Sequence, residues 1–366
     1  MRPICVASCS ELISSGFENA SETYASSGTD EKFLFQALAD GTIEYEVRDW
    51  NDEIGKPWSE YSLVLVRTTW DYSKSEYLAR RFRKWLERLI EDGVKVFNDP
   101  LVMQWNMHKS YLSDLGARGV PVIPTKLVAA GSSSLDSTSL LSSIMKENNW
   151  TDVMIKPAIG GGSRACMRVF GIDVDAVSKG NAFLLSYTCP RDSEGKPGDQ
   201  TVGGSGDDDG PCDMLVQPYL SSVEAYGEIS VIVIDGVVTH LVQKKPIEGD
   251  FRTQEEWGAS ISTLSEDHPM RNTASNLATK ILSIAKDCVE GARGNNSLLY
   301  ARVDFLTLPS GGKGIDGGSR HDGDSSLVLL ELELIEPCLF LANSESNNCA
   351  GRIVEAIKRE ISNTGR

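Results

Sequence analysis

A run near the C-terminus constrains the fold of this chain more than any other feature. It reads Leu329-Leu330-Glu331-Leu332-Glu333-Leu334-Ile335-Glu336-Pro337, and its apolar residues predict a buried strand. Glu331 and Glu333 are two positions apart, so their side chains leave the strand on the same face. Two adjacent buried carboxylates repel each other and are costly to desolvate unless a cation lies between them. The run therefore indicates a divalent-cation site, most simply for Mg²⁺, or else an exposed edge strand with a polar face.

Length, charge and cysteine usage narrow the class of protein. The 366 residues are enough for two or three subdomains, and the net charge of −16 argues against nucleic acid or an anionic membrane as the main partner. The eight cysteines are scattered without metal-ligand spacing, which predicts reduced thiols. No apolar run reaches transmembrane length, and the N-terminus is not typical of a signal peptide. These features predict a cytoplasmic protein.

The first hundred residues alternate between strand and helix patterns. Apolar runs at residues 4–7, 62–67 and 94–97 predict strands, and residues 32–38 predict a helix. A second helix is predicted to begin at a capping box from Ser73 to Glu76 and to end at Gly93. This alternation predicts an α/β domain with a small parallel sheet.

The remainder of the chain predicts an α+β part with a mostly antiparallel sheet. Two β-branched runs between residues 227 and 243 meet at Asp235-Gly236, a strong signal for a hairpin turn. Residues 192–211 and 309–326 are rich in Gly, Asp and Ser, so they cannot bury a core. We predict that both segments are mobile insertions without chemistry.

A lysine followed by a glycine-rich turn is the first candidate for phosphate binding. Lys156 ends an apolar strand, and Gly160-Gly161-Gly162-Ser163 follows it. Backbone N–H groups of such a turn can approach a phosphate while the lysine supplies charge. The alternative is a plain hairpin with a surface lysine. Further along, Arg302 and Asp304 share one face of a strand. Arg302 is a cation of the kind that binds phosphate, and Asp304 is a carboxylate of the kind that binds a metal ion.

The order of these motifs resembles that of the ATP-grasp superfamily, in particular its glutathione-synthetase-like and cycloserine-synthetase-like carboxylate–amine ligases. The resemblance covers about residues 98–343 and runs through Lys109, Lys156 with its glycines, Gln217-Pro218-Tyr219-Leu220, Gly227-Glu228, Arg252, Arg302-x-Asp304 and Glu331-x-Glu333. It implies an α/β pre-ATP-grasp domain at 1–105 followed by an α+β ATP-grasp fold. That fold would comprise a lid at 106–220, with insertion 190–212, and a catalytic subdomain at 221–366, with insertion 309–326.

The resemblance also implies roles for individual residues. It implies ATP binding by Lys109, Lys156, Gly160, Gly161, Gly162, Ser163, Gln217, Tyr219, Leu220 and Glu228, with Glu224 as a rival to Glu228 for the ribose. It implies Mg²⁺, with Mn²⁺ as an alternative, on Asp304, Glu331 and Glu333. The family more often has Asn at the last position, so Glu333 adds a negative charge. Lys244, Arg252 and Arg302 are the implied catalytic cations.

The function implied is an ATP-dependent ligase that joins a carboxylate to an amine through an acyl phosphate. The alternative is a non-catalytic ATP-binding regulatory protein of the same fold. The implied partners are ATP and small amino-acid-like substrates, and a homodimer is compatible with the sequence. In Arg67-Thr68-Thr69-Trp70-Asp71-Tyr72, Arg67 and Asp71 are candidates to bind the substrate carboxylate and amine. The alternative for this run is a packed Trp/Tyr corner.

Overall fold

The structure, a computed structural model, describes residues 2–16, 25–131, 139–189, 210–289, 298–308, 327–344 and 348–362, without the side chains of 25–29. The predicted insertion 309–326 and most of the insertion 190–212 lie outside these residues. Within the described part of the chain, no helix is long and apolar enough to cross a membrane. All eight cysteines lie among the described residues, and no disulfide bond joins any two of them.

The N-terminal sheet is small and entirely parallel, which confirms the predicted α/β domain. Its strands are β1 (Ile4–Ser8), β2 (Tyr45–Asp49), β3 (Val64–Thr68) and β4 (Val96–Phe97), in the order β2-β1-β3-β4. The helices α1 (Ser10–Ser15), α2 (Ala25–Asp40) and α3 (Glu76–Glu91) connect them. β2 was not predicted, because charged residues interrupt its apolar pattern.

The start of α3 differs from the prediction. Ser75, not Ser73, caps the helix, and its hydroxyl oxygen accepts a hydrogen bond from the N–H of Leu78 at 3.1 Å. Ser73 instead lies in a 3₁₀ turn over Trp70–Lys74, where its hydroxyl donates to the carbonyl of Trp70. Gly93, with φ of 64°, follows the end of the helix as predicted.

The middle of the chain forms an antiparallel sheet after two connecting helices. The helices α4 (Pro100–Met107) and α5 (Tyr111–Ala117) lead into β5 (Lys126–Val128), β6 (Val153–Pro157), β7 (Met167–Val169) and β8 (Met214–Pro218). The strand order is β5-β8-β6-β7, and α6 (Leu140–Glu147) and α7 (Val174–Thr188) pack on this sheet. This sheet lies within the stretch predicted as the lid.

The C-terminal sheet is five-stranded and antiparallel. After the short helix α8 (Ser222–Tyr226) come β9 (Glu228–Ile234), β10 (Val237–Lys245), β11 (Ser260–Thr263), β12 (Tyr300–Thr307) and β13 (Leu327–Glu333). They are ordered β11-β10-β9-β12-β13, with α9 (Arg271–Asp287) and α10 (Cys349–Ser362) packed against them. Asp235 and Gly236 both have positive φ, 54° and 74°, which is the predicted hairpin turn.

β13 is an edge strand, but other parts of the chain cover its outer edge. The N–H of Leu332 donates to the Tyr111 hydroxyl at 2.9 Å, and the N–H of Leu334 donates to Asn106 Oδ1 at 2.8 Å. The N–H of Leu329 donates to the carbonyl of Pro121. Because these partners satisfy the edge, the strand is protected from pairing with another chain. The alternative of an exposed edge strand is therefore wrong.

A buried asparagine joins the N-terminal sheet to the C-terminal one. Asn98, directly after β4, donates to the carbonyls of Tyr300 at 2.8 Å and Leu334 at 2.7 Å, and accepts from the N–H of Leu299 at 2.7 Å. Apolar residues of both sheets share one core around it. These contacts set the N-terminal domain beside the end of β13, where the acidic run lies.

Candidate active site

A cavity of about 580 Å³ opens between the three sheets, a size typical of small-molecule sites. Its wall includes every residue assigned to ATP by resemblance: Lys109, Lys156, Gly160, Gly161, Gly162, Ser163, Gln217, Tyr219, Leu220 and Glu228. It also includes Lys244 and Arg302 of the predicted catalytic cations, and Asp304, Glu331 and Glu333. The tertiary structure thus brings most of the predicted site residues to one space.

Strand pairing places the acidic residues together. In the register of β12 with β13, Asp304 is opposite Glu331 and Arg302 is opposite Glu333. Directly opposed residues of an antiparallel pair project to the same face. Four charged side chains from two neighbouring strands therefore face the cavity as one group.

Each carboxylate of this group is paired with a cation. Lys109 Nζ lies 3.0 Å from Glu331, and Lys244 Nζ lies 3.4 Å from Asp304. Arg302 Nε donates to both oxygens of Asp304 at 3.1 Å, and its Nη2 donates to Glu333. The hydroxyl of Ser230, which the sequence did not suggest as a site residue, donates to Asp304 at 2.5 Å.

The balance of burial and charge differs among the three carboxylates. Burial acts to raise the pKa of Glu331, but Lys109 and Lys156 outweigh it and hold the pKa below its usual value. Burial likewise acts on Asp304, where Arg302 and Lys244 prevail and lower the pKa. For Glu333, burial with the repulsion of Glu331 and Asp304 raises the pKa to about 7 despite Arg302. Of the three carboxylates, Glu333 is thus the one whose negative charge is least offset by neighbouring cations.

The fit of a divalent cation can be judged from these donors. Carboxylate oxygens on adjacent strands are the ligand type that Mg²⁺ requires, and burial raises the pKa of one of them, Glu333, to about 7. In the arrangement described here, however, each carboxylate is turned onto its cation. No group of three or more His, Cys, Asp or Glu side chains among the described residues is arranged to hold a metal ion. The donor chemistry fits Mg²⁺, and ligation by these three residues stays a prediction.

Lys156 differs from Lys109, Lys244 and Arg302 because it has no ion-pair partner among the described residues. Burial lowers its pKa, with Glu331 acting in the opposite direction. A buried ammonium without a partner is costly, and an anion would offset that cost. Lys156 is therefore the cation most available to a phosphate.

The glycine-rich loop crosses from the lid to the segment after β10. Lys109 Nζ donates to the carbonyl of Gly160 at 2.6 Å, and Ser163 Oγ donates to Gln254 Oε1 at 2.9 Å. Gly162 and Ser163 have positive φ of 62° and 55°. The loop is thus held over the cavity, as a phosphate-covering loop would be.

The end of β8 supplies the surface predicted for adenine. Gln217 Nε2 donates to Thr125 Oγ1 at 2.8 Å, and the Tyr219 hydroxyl donates to Glu224 at 2.6 Å. Glu224 is also paired with Arg168 and does not line the cavity. Glu228 does line it, paired with Lys244 at 2.6 Å. Of the two rivals, the position of Glu228 agrees with a ribose contact.

Arg252 does not line the cavity, in contrast to its predicted catalytic role. Its guanidinium forms a two-pronged pair with Asp250, at 2.6 to 3.0 Å, and lies 3.8 Å from the ring centroid of Trp257. The indole N–H of Trp257 lies 3.5 Å from the carbonyl of Gly162. A local carboxylate therefore holds Arg252 behind the loop rather than inside the site.

The structure does not bring Arg67 and Asp71 to the cavity either. Arg67 is almost fully buried, pairs with Glu31 at 3.0 Å and Asp30 at 4.0 Å, and donates to the carbonyl of Pro337. Asp71 accepts a 2.6 Å hydrogen bond from the Trp50 indole, and burial raises its pKa to about 6. Their charges are used within the N-terminal domain, which corrects the substrate assignment in favour of the packed corner.

Three residues at the N-terminal-domain end of the cavity were not predicted as site residues. Trp70 and Tyr72 lie in the 3₁₀ turn after β3, and Glu336 follows β13. Glu336 belongs to the acidic run from Leu329 to Pro337, but no role in the site was predicted for it from the sequence. Its spacing of three from Glu333 would place it on the opposite face of a continuing strand, but β13 ends at Glu333 and the chain turns.

Comparisons with known proteins agree with this architecture. Residues 4–98 match the family described as D-cycloserine synthetase DcsG, N-terminal domain. The chain is 27% identical over 338 residues to the cycloserine biosynthesis protein DcsG of Streptomyces lavendulae, which covers 90% of this chain and 92% of that protein.

Two solved structures extend the likeness to the whole fold. The crystal structure of D-cycloserine synthetase DcsG has a TM-score of 0.70 at 21% identity, covering 98% of this chain and 99% of its own. D-alanine–D-alanine ligase from Bacillus anthracis, complexed with ATP, has a TM-score of 0.60 at 11% identity, covering 100% and 98%. The chain therefore shares its overall fold with these two enzymes, and residues 4–98 are similar to the N-terminal domain of D-cycloserine synthetase.

Proposed function

We propose that this protein uses ATP and Mg²⁺ to activate an amino-acid-type carboxylate as an acyl phosphate, which an amine then attacks to form an amide. ADP and phosphate are the other products. The observation that carries the proposal is the single cavity in which Lys109, Lys156, Lys244 and Arg302 face three carboxylates. An anion-binding set beside a cation-binding set suits a nucleotide whose phosphates carry a divalent ion.

The chain's own residues have separable tasks in this reaction. Tyr219 and Leu220 hold the base at the lid, while Lys156 and the backbone of Gly160–Ser163 contact the phosphates. Lys244 and Arg302 offset the charge that develops as phosphate moves to the substrate carboxylate. When bound on Asp304, Glu331 and Glu333, Mg²⁺ would neutralise phosphate charge.

This chemistry does not need a covalent nucleophile. Two of the described cysteines, Cys166 and Cys338, line the cavity, and burial raises the pKa of Cys166, which keeps it a thiol. Phosphoryl transfer to a carboxylate depends on positioning and electrostatics rather than on an enzyme-bound intermediate. The similarity to a cycloserine biosynthesis protein favours an amino-acid-derived carboxylate as the acceptor.

The test measures phosphate release from ATP and Mg²⁺ over a panel of amino acids, with and without hydroxylamine to trap an acyl phosphate as its hydroxamate. We expect release that depends on the acid, and a hydroxamate of the same acid. Asp304→Asn should abolish both, since it removes ligand charge but keeps shape, while the exposed Asp267→Asn should have wild-type rates. ATP binding without phosphate release would instead favour the non-catalytic regulatory protein.

A further inference from the structure

The cavity continues past the phosphate-binding cations to an end built by the N-terminal domain. Trp70 and Tyr72 of the N-terminal domain line the cavity, and so do Glu336 and Phe340 from the segment after β13. The Tyr72 ring is fixed by stacking on Phe82, with centroids 4.5 Å apart. Burial raises the pKa of Tyr72, and the charge of Glu336 raises it further.

Glu336 is the one carboxylate of this end whose charge is not offset. It is partly buried in the cavity wall, and among the described residues it accepts no hydrogen bond and forms no ion pair. The nearby arginines are already engaged, Arg67 with Glu31 and Arg302 with Asp304. Burial and then Glu333 raise the pKa of Glu336 well above its usual value, as expected for a carboxyl group that lacks a cation.

The surroundings favour an organic cation over a second metal ion. Mg²⁺ and Ca²⁺ take about six or more oxygen ligands, mostly from several carboxylates and carbonyls. The aromatic side chains of Trp70, Tyr72 and Phe340 instead line the same cavity as Glu336. One carboxylate with aromatic rings is the setting in which an ammonium group is bound.

We propose that Glu336 binds the ammonium group of the amino-acid substrate, whose carboxylate lies toward Arg302. Arg302 Nη1 donates to the carbonyl of Cys338, two residues after Glu336, at 3.3 Å, so the two opposite charges belong to the same part of the cavity wall and can bind the two ends of one zwitterion. The inference rests on the proposed function, because it assigns one end of the substrate in that reaction.

The test compares amino acids with their des-amino counterparts in the wild-type protein and in Glu336→Gln. The probes are the protein amino acids in both enantiomeric forms, each paired with the acid that lacks the amino group. For acids that stimulate phosphate release, we expect Glu336→Gln to raise KM for the amino acid about 10- to 100-fold, from the loss of a charged hydrogen bond. KM for the des-amino acid and the affinity for ATP should not change.

The control is Glu87→Gln, the same substitution at an exposed position of α3. It should leave every KM unchanged. Equal changes of KM for both members of a pair, or no change for either, would overturn the proposal, and so would a wild-type protein that does not prefer the amino acid.

A binding measurement separates this proposal from the proposed function. Thermal stabilisation by each acid is measured with a non-hydrolysable ATP analogue present. Stabilisation by amino acids alone, lost in Glu336→Gln, would support the ammonium site even if no phosphate were released. A protein that binds the nucleotide but is stabilised by none of the amino acids would refute it.

Discussion

Substitution of Arg67 tests the role that the structure gives to this residue. The sequence predicted that Arg67 binds the substrate, whereas the fold buries it. In Arg67→Met the side chain keeps much of its length and loses its charge. Asp30 and Glu31 then remain buried without the guanidinium that lies 4.0 Å and 3.0 Å from them. The hydrogen bond to the carbonyl of Pro337 is lost as well.

The size of the effect follows from the state of the two acids. Removing one partner of a buried ion pair costs about 3–5 kcal/mol, since the other charge stays buried. Asp30 keeps hydrogen bonds from the N–H groups of Leu339 and Leu341, at 2.5 Å and 2.7 Å, while Glu31 Oε2 has no hydrogen-bond partner among the residues that the structure describes. We therefore expect the free energy of unfolding to fall by about 3–5 kcal/mol, with Glu31 the larger contributor.

The loss should depend on pH. Burial raises the pKa of both Asp30 and Glu31, and Arg67 opposes this rise. Without Arg67 the folded-state pKa values move further above the unfolded ones, so the folded state binds more protons. Stability then falls as pH rises above the unfolded values of about 4. The destabilisation should be smaller at about pH 5 than at about pH 8, because protonation removes the buried charges.

The assay is urea denaturation of Arg67→Met and of Arg80→Met, the same change at an exposed position of α3, at both pH values. The control should stay within about 0.5 kcal/mol of the wild type. KM for the substrate is measured at a temperature where the variant is folded. Normal stability together with a raised KM would refute the buried role and restore Arg67 as a substrate residue.

Three further results are expected. Lys156→Met should raise the Kd for ATP about 10-fold or more in a calorimetric titration. The midpoint of unfolding should not fall, because the Lys156 ammonium has no ion-pair partner among the described residues. A lower midpoint would contradict this reasoning. Burial lowers the pKa of His240 to about 4. The free energy of unfolding of the wild type should therefore fall by up to about 3 kcal/mol as pH falls from about 6.5 to 4. In acid titrations followed by circular dichroism, His240→Gln should show a smaller fall. Gly227→Ala should reduce both stability and kcat, because its new Cβ would clash with the carbonyl oxygen of Lys244. The control is Gly93→Ala, which has open space around its Cβ and should lower the free energy of unfolding by only about 1 kcal/mol through backbone strain. Equal losses in the two variants would show that the clash is relieved.

The elements that could be predicted are those whose signal is local. The alternation of the first hundred residues predicted the parallel sheet, and Asp235-Gly236 predicted the hairpin, because turn and strand patterns act through neighbouring residues. The spacing of Glu331 and Glu333 likewise predicted a shared face, which the pairing of β12 with β13 confirms. β2 was missed, since its pattern is too weakly apolar to be recognised alone.

The sequence by itself determined which residues carry charge and which strand faces they occupy, because backbone geometry sets the period of side chains along a strand. Only the tertiary structure decided which charges are free for a ligand. Arg67 is neutralised by Asp30 and Glu31, more than thirty residues earlier in the chain, whereas Lys156 forms no ion pair within the described part of the chain. Glu336 joins the site because the chain turns after β13 and packs against the N-terminal domain. A buried charge without a partner is costly, and a ligand of opposite charge offsets that cost. Long-range packing decides which charges are buried in this way, and no local sequence pattern encodes it.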